Sequence, residues 1–353
     1  MFLGSTNSTR KNFSRRAGWV VVFLFIVVAV LADFVAPYDH SEQSRTEPSA
    51  PPTSLHFRDT SGTFHLRPFI YQRRLSDPLR LLYTDDTSRT YPVSLLVRGS
   101  SYKFLGLFET DVRLFGVTGD SAPRINLLGT DALGRDRLSR LLHAVRFSLV
   151  VCSIGVLLAC LIGILVGIVS GYSNRIVDTT LMGVSDAMLA LPALILILAA
   201  RAAFPLELPP LRAAFLLLSI FALTGWAEMA RLARGLVVST RQQEFVLAAI
   251  ATGLTHTRIL IRHILPNIAR PLVTQALLML PAFLLAEVAL SYLGVGVQEP
   301  EASLGNMLTA ASDLNLLRTQ PLSVLSPAIV IFVFVLAIRL VGEEKPREKN
   351  LSL

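Results

Sequence analysis

Chemistry inside an apolar chain needs a nucleophile with its base, or a metal, held together away from water. The six histidines, His40, His56, His65, His143, His256 and His263, all fall outside the most apolar runs, and no His-Glu-x-x-His occurs. Ser170-Gly171 resembles a protease serine only superficially, because no histidine partners it at the same depth. A loop that cradles phosphate needs a glycine immediately before its lysine. None of the four lysines, Lys11, Lys103, Lys345 and Lys349, has one. Cys152 and Cys160 would stand about 12 Å apart on a helix, too far for a disulfide, and read as small packing residues. What remains are ionisable residues inside apolar runs, each costly and therefore a candidate for function. Glu287, with Ser291 and Tyr292 just beyond it, is a candidate for the lining or gate of a pore, or for a bond to a neighbouring helix. Asp186 and Glu228 either line a path or sit at an interface. Arg201 and Arg339, near run ends, read as anchors whose long side chains reach lipid headgroups.

The elements that must position these residues are apolar helices. Of the 353 residues 52% are hydrophobic and only 16% charged, and the apolar ones are bunched, which makes a polytopic membrane protein. Runs long enough to cross a bilayer occur near 17–36, 147–171, 180–202, 212–231, 272–296 and 326–342, predicting six spans. The first is read as retained rather than cleaved, although Val30-Leu31-Ala32 resembles a cleavage site. Pro192, Pro271 and Pro281 lie in or at the edges of spans, where prolines produce kinks. The net charge of +8 clusters beside the spans, which reads as membrane topology rather than nucleic-acid binding. The tail 1–16, the turn at Arg175, a basic arm at 232–271 and the tail 343–353 then share one side, the cytoplasm, and both termini are cytoplasmic. The segment 37–146 lies on the other side. It opens as a Pro/Ser-rich tether (Pro48, Pro51, Pro52, Ser54) and continues with the strand-like pieces "YPVSLLVRG" and "YKFLGLFETDVRLFGV", predicting a small, mostly-β external insert and a pre-span helix. A core of five helices over 147–342 follows.

Within the arm, Glu244 opens the helical stretch "EFVLAAIATG", which ends at Gly253, the residue type that most cheaply adopts left-handed geometry. Thr255 is expected to cap a second short helix, which Pro266 stops at Leu265. Ala248 and Ala249 would let a partner's backbone approach, and Ile250, Leu254, Ile259, Leu260 and Ile264 make an apolar stripe that needs a cover. Ala248-Ala249, three residues, Gly253, nine residues, then His263-Ile264-Leu265-Pro266-Asn267 resembles the EAA loop of ABC importer permeases, with Leu247 where that family usually has glutamate. The resemblance implies that the first arm helix is the coupling helix that engages an ATPase subunit.

Two further stretches, 127–151 ("LLGTDALGRDRLSRLLHAVRFSLVV") and 286–308 ("AEVALSYLGVGVQEPEASLGNML"), resemble permeases of the dipeptide, oligopeptide and nickel importer group. In the first, Thr130 or Asp131 is expected to cap a helix starting at Ala132, with Asp136 and Arg140 pairing one turn apart. The resemblance places Gly129, Thr130, Asp131, Gly134, Arg135 and Asp136 at the external mouth. It implies an all-α polytopic membrane protein of the type I ABC importer fold, acting as a permease subunit and not as an enzyme. The implied partners are a homologous second permease, two cytoplasmic ATPase subunits, an extracytoplasmic substrate-binding protein and the lipid bilayer of the inner membrane. No cofactor is expected on this chain, since ATP and Mg belong to the ATPase partners, and peptides are the expected cargo. An ion-coupled transporter working alone would be expected to show paired intramembrane charges and repeated halves. An intramembrane hydrolase would need the nucleophile and base missing above.

Overall fold

A computed structural model of the chain describes residues 5–119, 122–205 and 208–342, so Lys345, Arg347, Lys349 and the rest of the tail 343–353 lie outside the described residues. Apolar runs become helices because a helix satisfies its own backbone where no water is available. Helix α1 (Ser5–Val30) leads at once to the short α2 (Ala32–Val35). Four strands follow, β1 (His56–Arg58), β2 (Phe64–Asp77), β3 (Leu82–Phe104) and β4 (Phe108–Val117). Then come α3 (Arg137–Tyr172), α4 (Arg175–Leu189), α5 (Ala193–Ala202), α6 (Pro210–Arg241), α7 (Glu244–Ala251) and α8 (His256–Ile259). A π-helical turn (Leu260–Ile264) runs into α9 (Leu265–Tyr292), and α10 (Leu304–Leu308), a 3-10 turn, α11 (Leu314–Thr319) and α12 (Pro321–Gly342) complete the order.

Among the described residues five helices are long and apolar enough to cross a membrane, and α4 with α5 makes a sixth only if the pair counts as one span. The run 180–202, expected as a span with Pro192 able to kink it, is divided into two helices, α4 and α5, that meet at 87°. Pro192, the N-cap of α5, explains the break: it has no N–H to donate and pushes Leu191 away from helical geometry. Pro271 and Pro281, by contrast, lie inside the continuous α9.

The chain divides into two compact units, one of Met1–Val22, Val150–Glu287 and Val333–Leu353, the other of Phe23–Leu149 and Val288–Phe332. In the first, Gly163, Gly167 and Gly171 recur every four residues and give α3 a smooth face. The α6 backbone comes so near that a Cβ added to Gly167 would lie 2.5 Å from the Ala230 carbonyl oxygen and 2.6 Å from the Ala233 Cβ. Small residues permit this packing in lipid, where backbone approach replaces hydrophobic drive. The rings of Phe221 and Phe283 stack at 4.7 Å, so α6 is held by α9 as well. Asp178 accepts from Arg234 at 2.6 Å and from the Ser170 hydroxyl at 2.5 Å, and Asp186 pairs with Arg231 at 3.2 Å. These contacts fix α6, which carries the basic arm at its end.

In the second unit the four strands form one antiparallel sheet in the order β1-β2-β3-β4. "YPVSLLVRG" lies in β3, and "YKFLGLFETDVRLFGV" folds back as the β3–β4 hairpin, as its alternating pattern predicts. The stretch expected to be a tether is packed instead. Ala50 is fully buried, the Thr53 N–H donates to the Asn126 carbonyl at 2.8 Å, and the Arg73 guanidinium donates to the carbonyls of Pro51 and Pro52. Proline has no N–H to satisfy but keeps its acceptor, and arginine can claim it.

Candidate functional site

The arm is built on a helix stop that the sequence announces. The Gly253 N–H donates to the Ile250 carbonyl at 2.9 Å and the Leu254 N–H to the Ala249 carbonyl at 3.3 Å, the paired bonds of a Schellman motif. The motif requires a left-handed residue, and Gly253 has φ +78°. Helix α7 is thereby cut to two turns with one face inward and one outward. Val246 and Ala249 are buried. Glu244, Leu247, Ala248 and Ala251 are exposed at helical spacing. Ala248 and Ala249 therefore separate, Ala248 facing out and Ala249 packing inward. Leu247, where the resembled loop carries glutamate, adds an apolar side chain 52% exposed to that outer face.

The remainder of the arm corrects three expectations. Thr255 is the N-cap of α8 by backbone geometry alone, with no side-chain hydrogen bond. The helix does not stop at Leu265. The Leu265 N–H reaches back five residues to the Leu260 carbonyl, and this wider turn carries the chain through Pro266 into α9. The Asn267 side chain donates to the His263 carbonyl at 2.6 Å. Third, the apolar stripe is largely covered by the chain itself: Ile259 and Ile264 are buried, and of the five only Ile250 is exposed. His263 and Leu265 are half-buried, and Pro266 and Asn267 exposed. The ring of Tyr172, at the end of α3, has the Arg241 guanidinium over it at 5.0 Å and the His256 ring edge-on at 6.3 Å. The arm is thus pinned at both its ends, to α3 and by continuity to α9.

The residues expected at an external mouth form a separate constellation in the second unit. Gly129 and Gly134 have φ of +71° and +72°, and a side chain on Gly134 would collide with the Ser44 backbone. No helix starts at Ala132. The Asp131 carboxylate instead closes the turn between these glycines, accepting from the N–H groups of Leu133 and Arg135 at 2.9 and 3.0 Å. The Thr130 hydroxyl accepts from the Ala50 N–H at 2.8 Å and donates to the Glu47 carbonyl at 2.5 Å. Asp136 does not pair with Arg140. It precedes α3 and accepts from the Ser139 N–H and hydroxyl, both at 2.7 Å, because side chains at that position face the free N–H groups of the first turn. Complete burial raises the Asp136 carboxyl to about 6 against those bonds.

Arg140 turns to a carboxylate the sequence reading missed. Its guanidinium donates to both Glu299 oxygens, at 2.9 and 3.2 Å, and Arg135, bonded to Asp131 at 2.7 Å, donates to Glu299 as well. A cavity of about 300 Å³ opens beside them, lined by Asp131, Arg135, Arg137, Arg140 and Glu299 among others. A second missed cluster joins Asp33 to His143 at 3.0 Å and Arg146 at 2.8 Å. Burial raises the Asp33 carboxyl, and the bonds from His143 and Arg146 outweigh it and hold it below the usual range. His143 stacks on His40 at 4.6 Å, and the hydrogen bond from His40 holds Glu301 below its ordinary value. The partners in these pairs lie more than 100 positions apart in the chain, with Asp33 and His143 separated by 110 and Arg135 and Glu299 by 164, and sequence spacing carries no signal over such separations.

Among the inward residues Glu287 is fully buried, Ser291 nearly so, and Tyr292 is 46% exposed. Glu228 accepts from the Gln275 side chain at 2.8 Å, and Asp186 is paired as described above. Arg201 is corrected: only 2% exposed, it folds back to donate to the carbonyls of Phe204 and Pro205 at 3.2 and 2.9 Å, satisfying the chain beyond α5 instead of reaching out. Arg339 is exposed. Ser170, the serine of the Ser-Gly pair, donates to the Asp178 carboxylate and not to a histidine. In the first unit the exposed face of the short helix α7 lies in the chain between α6 and α9, and in the second unit a charged loop cluster is held by its ion pairs.

Residues 163–343 match the family described as the binding-protein-dependent transport system inner membrane component. The chain is 34% identical over 215 residues to the dipeptide transport system permease protein DppC of Alkalihalophilus pseudofirmus, covering 61% of this chain and 68% of that protein. It is 36% identical over 217 residues to the di/tripeptide transport system permease protein DppC of Pseudomonas aeruginosa, covering 62% and 69%. It is 35% identical over 216 residues to the nickel transport system permease protein NikC of Escherichia coli, covering 61% and 75%.

Proposed function

The chain belongs to the family of binding-protein-dependent transport inner membrane components, and on that premise we propose that it forms half of a peptide-conducting pore driven by separate ATPase subunits. It is a membrane-embedded permease subunit of an ABC transporter, in the group that includes dipeptide, oligopeptide and nickel permeases. It is not itself the ATPase.

The observation that carries the coupling role is the outward face of α7, Glu244, Leu247, Ala248 and Ala251, cut to length by Gly253. A short helix held between α6 and α9 takes up a push from a partner and passes it to both, because packed helices move as bodies rather than bend. Glu244, Ala248, Ala249 and Gly253, with His263, Leu265, Pro266 and Asn267 shaping its far end, are the coupling residues on this reading. The arm 232–271 and both termini are cytoplasmic, α4 with α5 serves as one broken crossing of six, and 37–146 is an external insert. The loop cluster Gly129–Asp136 forms the external mouth, where a substrate-binding protein docks. Glu287, Ser291 and Tyr292 line or gate the passage. A homologous second permease and two ATPase subunits complete the transporter, and ATP with Mg is bound by the latter. Peptides are the cargo because relatives at 34–36% identity are named as dipeptide and di/tripeptide permeases.

The test is co-purification and reconstitution. Ala248→Cys is expected to cross-link to an ATPase subunit, and uptake of a labelled dipeptide into proteoliposomes is expected to require ATP and the binding protein. Solute movement by the isolated chain without an ATPase, or labelling of Gly253→Cys from outside intact cells, would overturn the reading.

A further inference from the structure

The sheet ends in a turn whose composition does not suit water. Phe104 pairs with Phe108, and Leu105, Leu107 and Phe108 are 48%, 76% and 70% exposed. No charged residue lies between Lys103 and Glu109. Two backbone bonds close the turn, the Gly106 N–H donating to the Lys103 carbonyl at 3.1 Å and the Leu107 N–H to the Phe104 carbonyl at 3.0 Å. Each such bond lowers the cost of moving the tip out of water, and the headgroup–acyl boundary can solvate the groups that remain.

Position selects lipid over other covers. The Arg113 guanidinium donates to the carbonyls of Ala36 at 2.8 Å and Asp33 at 3.3 Å, just past the membrane-crossing stretch of α1, Phe13–Val30. The same guanidinium lies 4.9 Å from the Tyr102 ring, whose hydroxyl donates to the Val112 carbonyl at 2.7 Å. From Tyr102 two residues of strand, about 7 Å, reach Phe104. The turn therefore sits beside the point where α1 leaves the bilayer, flanked by a tyrosine and a lysine, the side chains that favour the headgroup layer. The opposite turn of the sheet is also apolar, with Leu79 97% exposed, but it carries the Arg80–Asp77 pair. No contact of the kind Arg113 makes ties it to α2 or its end among the described residues.

We propose that the tip of the β3–β4 hairpin, Phe104–Phe108, is seated in the headgroup–acyl boundary of the leaflet from which α1 emerges. The lipid surface thereby fastens the inserted sheet beside α1. This rests on α1 crossing the bilayer and not on the cargo or the ATPase partners, so it stands or falls apart from the coupling role.

The experiment places a nitroxide on Leu107→Cys in the full-length chain, in nanodiscs of phosphatidylcholine and phosphatidylglycerol holding one copy each. The native Cys152 and Cys160 are buried and stay in place. Collisions with oxygen, which concentrates in lipid, are compared with collisions with a water-soluble nickel chelate. Oxygen collisions are expected to exceed chelate collisions, as at the reference site Val30→Cys on the end of α1. Leu105→Cys serves as a second tip site and should give the same order. Chelate collisions in excess at both tip sites would overturn the proposal. So would protection from the chelate that appears only on adding purified substrate-binding protein, which would assign the tip to protein docking.

Discussion

Gly253 offers the cleanest perturbation, because its cost can be separated from packing. At φ +78° a Cβ would meet nothing within 4 Å, so a substitution there strains the backbone without a clash inside this chain. For an L-residue the left-handed conformation costs about 1–2 kcal/mol, a factor of about 5–30 in the population of the closed turn. Asparagine tolerates the conformation better, and valine, branched at Cβ, tolerates it worst. Hydrogen–deuterium exchange of the peptide covering 249–255, in the full-length chain in nanodiscs, reads this directly, since the N–H groups of residues 253 and 254 close the motif. Gly253→Ala should speed their exchange about 5- to 30-fold, Gly253→Asn much less, and Gly253→Val at least as much as alanine. In the assembled transporter the same order should appear as loss of coupling, with Gly253→Val still hydrolysing ATP and inserting normally but failing to drive uptake. Equal exchange in the alanine and asparagine variants, or full uptake by the valine variant, would refute the backbone argument.

Two other outcomes follow from the geometry. Asp136 is raised to about 6 by burial, against a carboxyl's ordinary 3.8. The folded chain therefore holds that proton to higher pH than the unfolded one, and stability falls as pH rises from about 4 to 6; Asp136→Asn should flatten that part of the thermal-unfolding profile, and an unchanged slope would refute the assignment. Gly167→Ala would drive a Cβ to 2.5 Å from the Ala230 carbonyl, forcing α3 and α6 apart at a cost of about 1–3 kcal/mol, seen as a lower unfolding midpoint. Gly183→Ala, at a glycine with nothing within 4 Å of its added Cβ, should leave the midpoint unchanged or raise it.

Much of the arm was legible because its signals are local. A helix former run ending in glycine specifies a left-handed stop within five residues, and the structure carries that stop at Gly253. Proline is a weaker signal than it looks: Pro192 stands at the sharp bend between α4 and α5, whereas Pro266 is accommodated by one wider turn and Pro271 lies within a continuous helix. The difference depends on whether neighbouring backbone groups find other partners, which a one-residue rule does not contain. The loop Gly129–Asp136 was legible in its glycines and in the turn-forming Asp131 but not in its ion pairs. Asp136 and Arg140 have the spacing of a helical pair, yet Asp136 is needed at the start of α3 and Arg140 finds Glu299.

The amino-acid sequence alone determined that this chain is a membrane protein with several apolar helices, that a strand-rich segment follows the first apolar run, and that its arm is a helix with a glycine stop. Each of these follows from hydropathy and turn chemistry over a few neighbouring residues. Only the tertiary structure decided that Ala249 and Ile264 face inward while Leu247 and Ala248 face out, that Arg201 folds back on its own chain, and that Glu299 holds two arginines 159 and 164 positions away. Those outcomes depend on which surfaces meet, and a buried charge takes whatever partner the fold brings within reach.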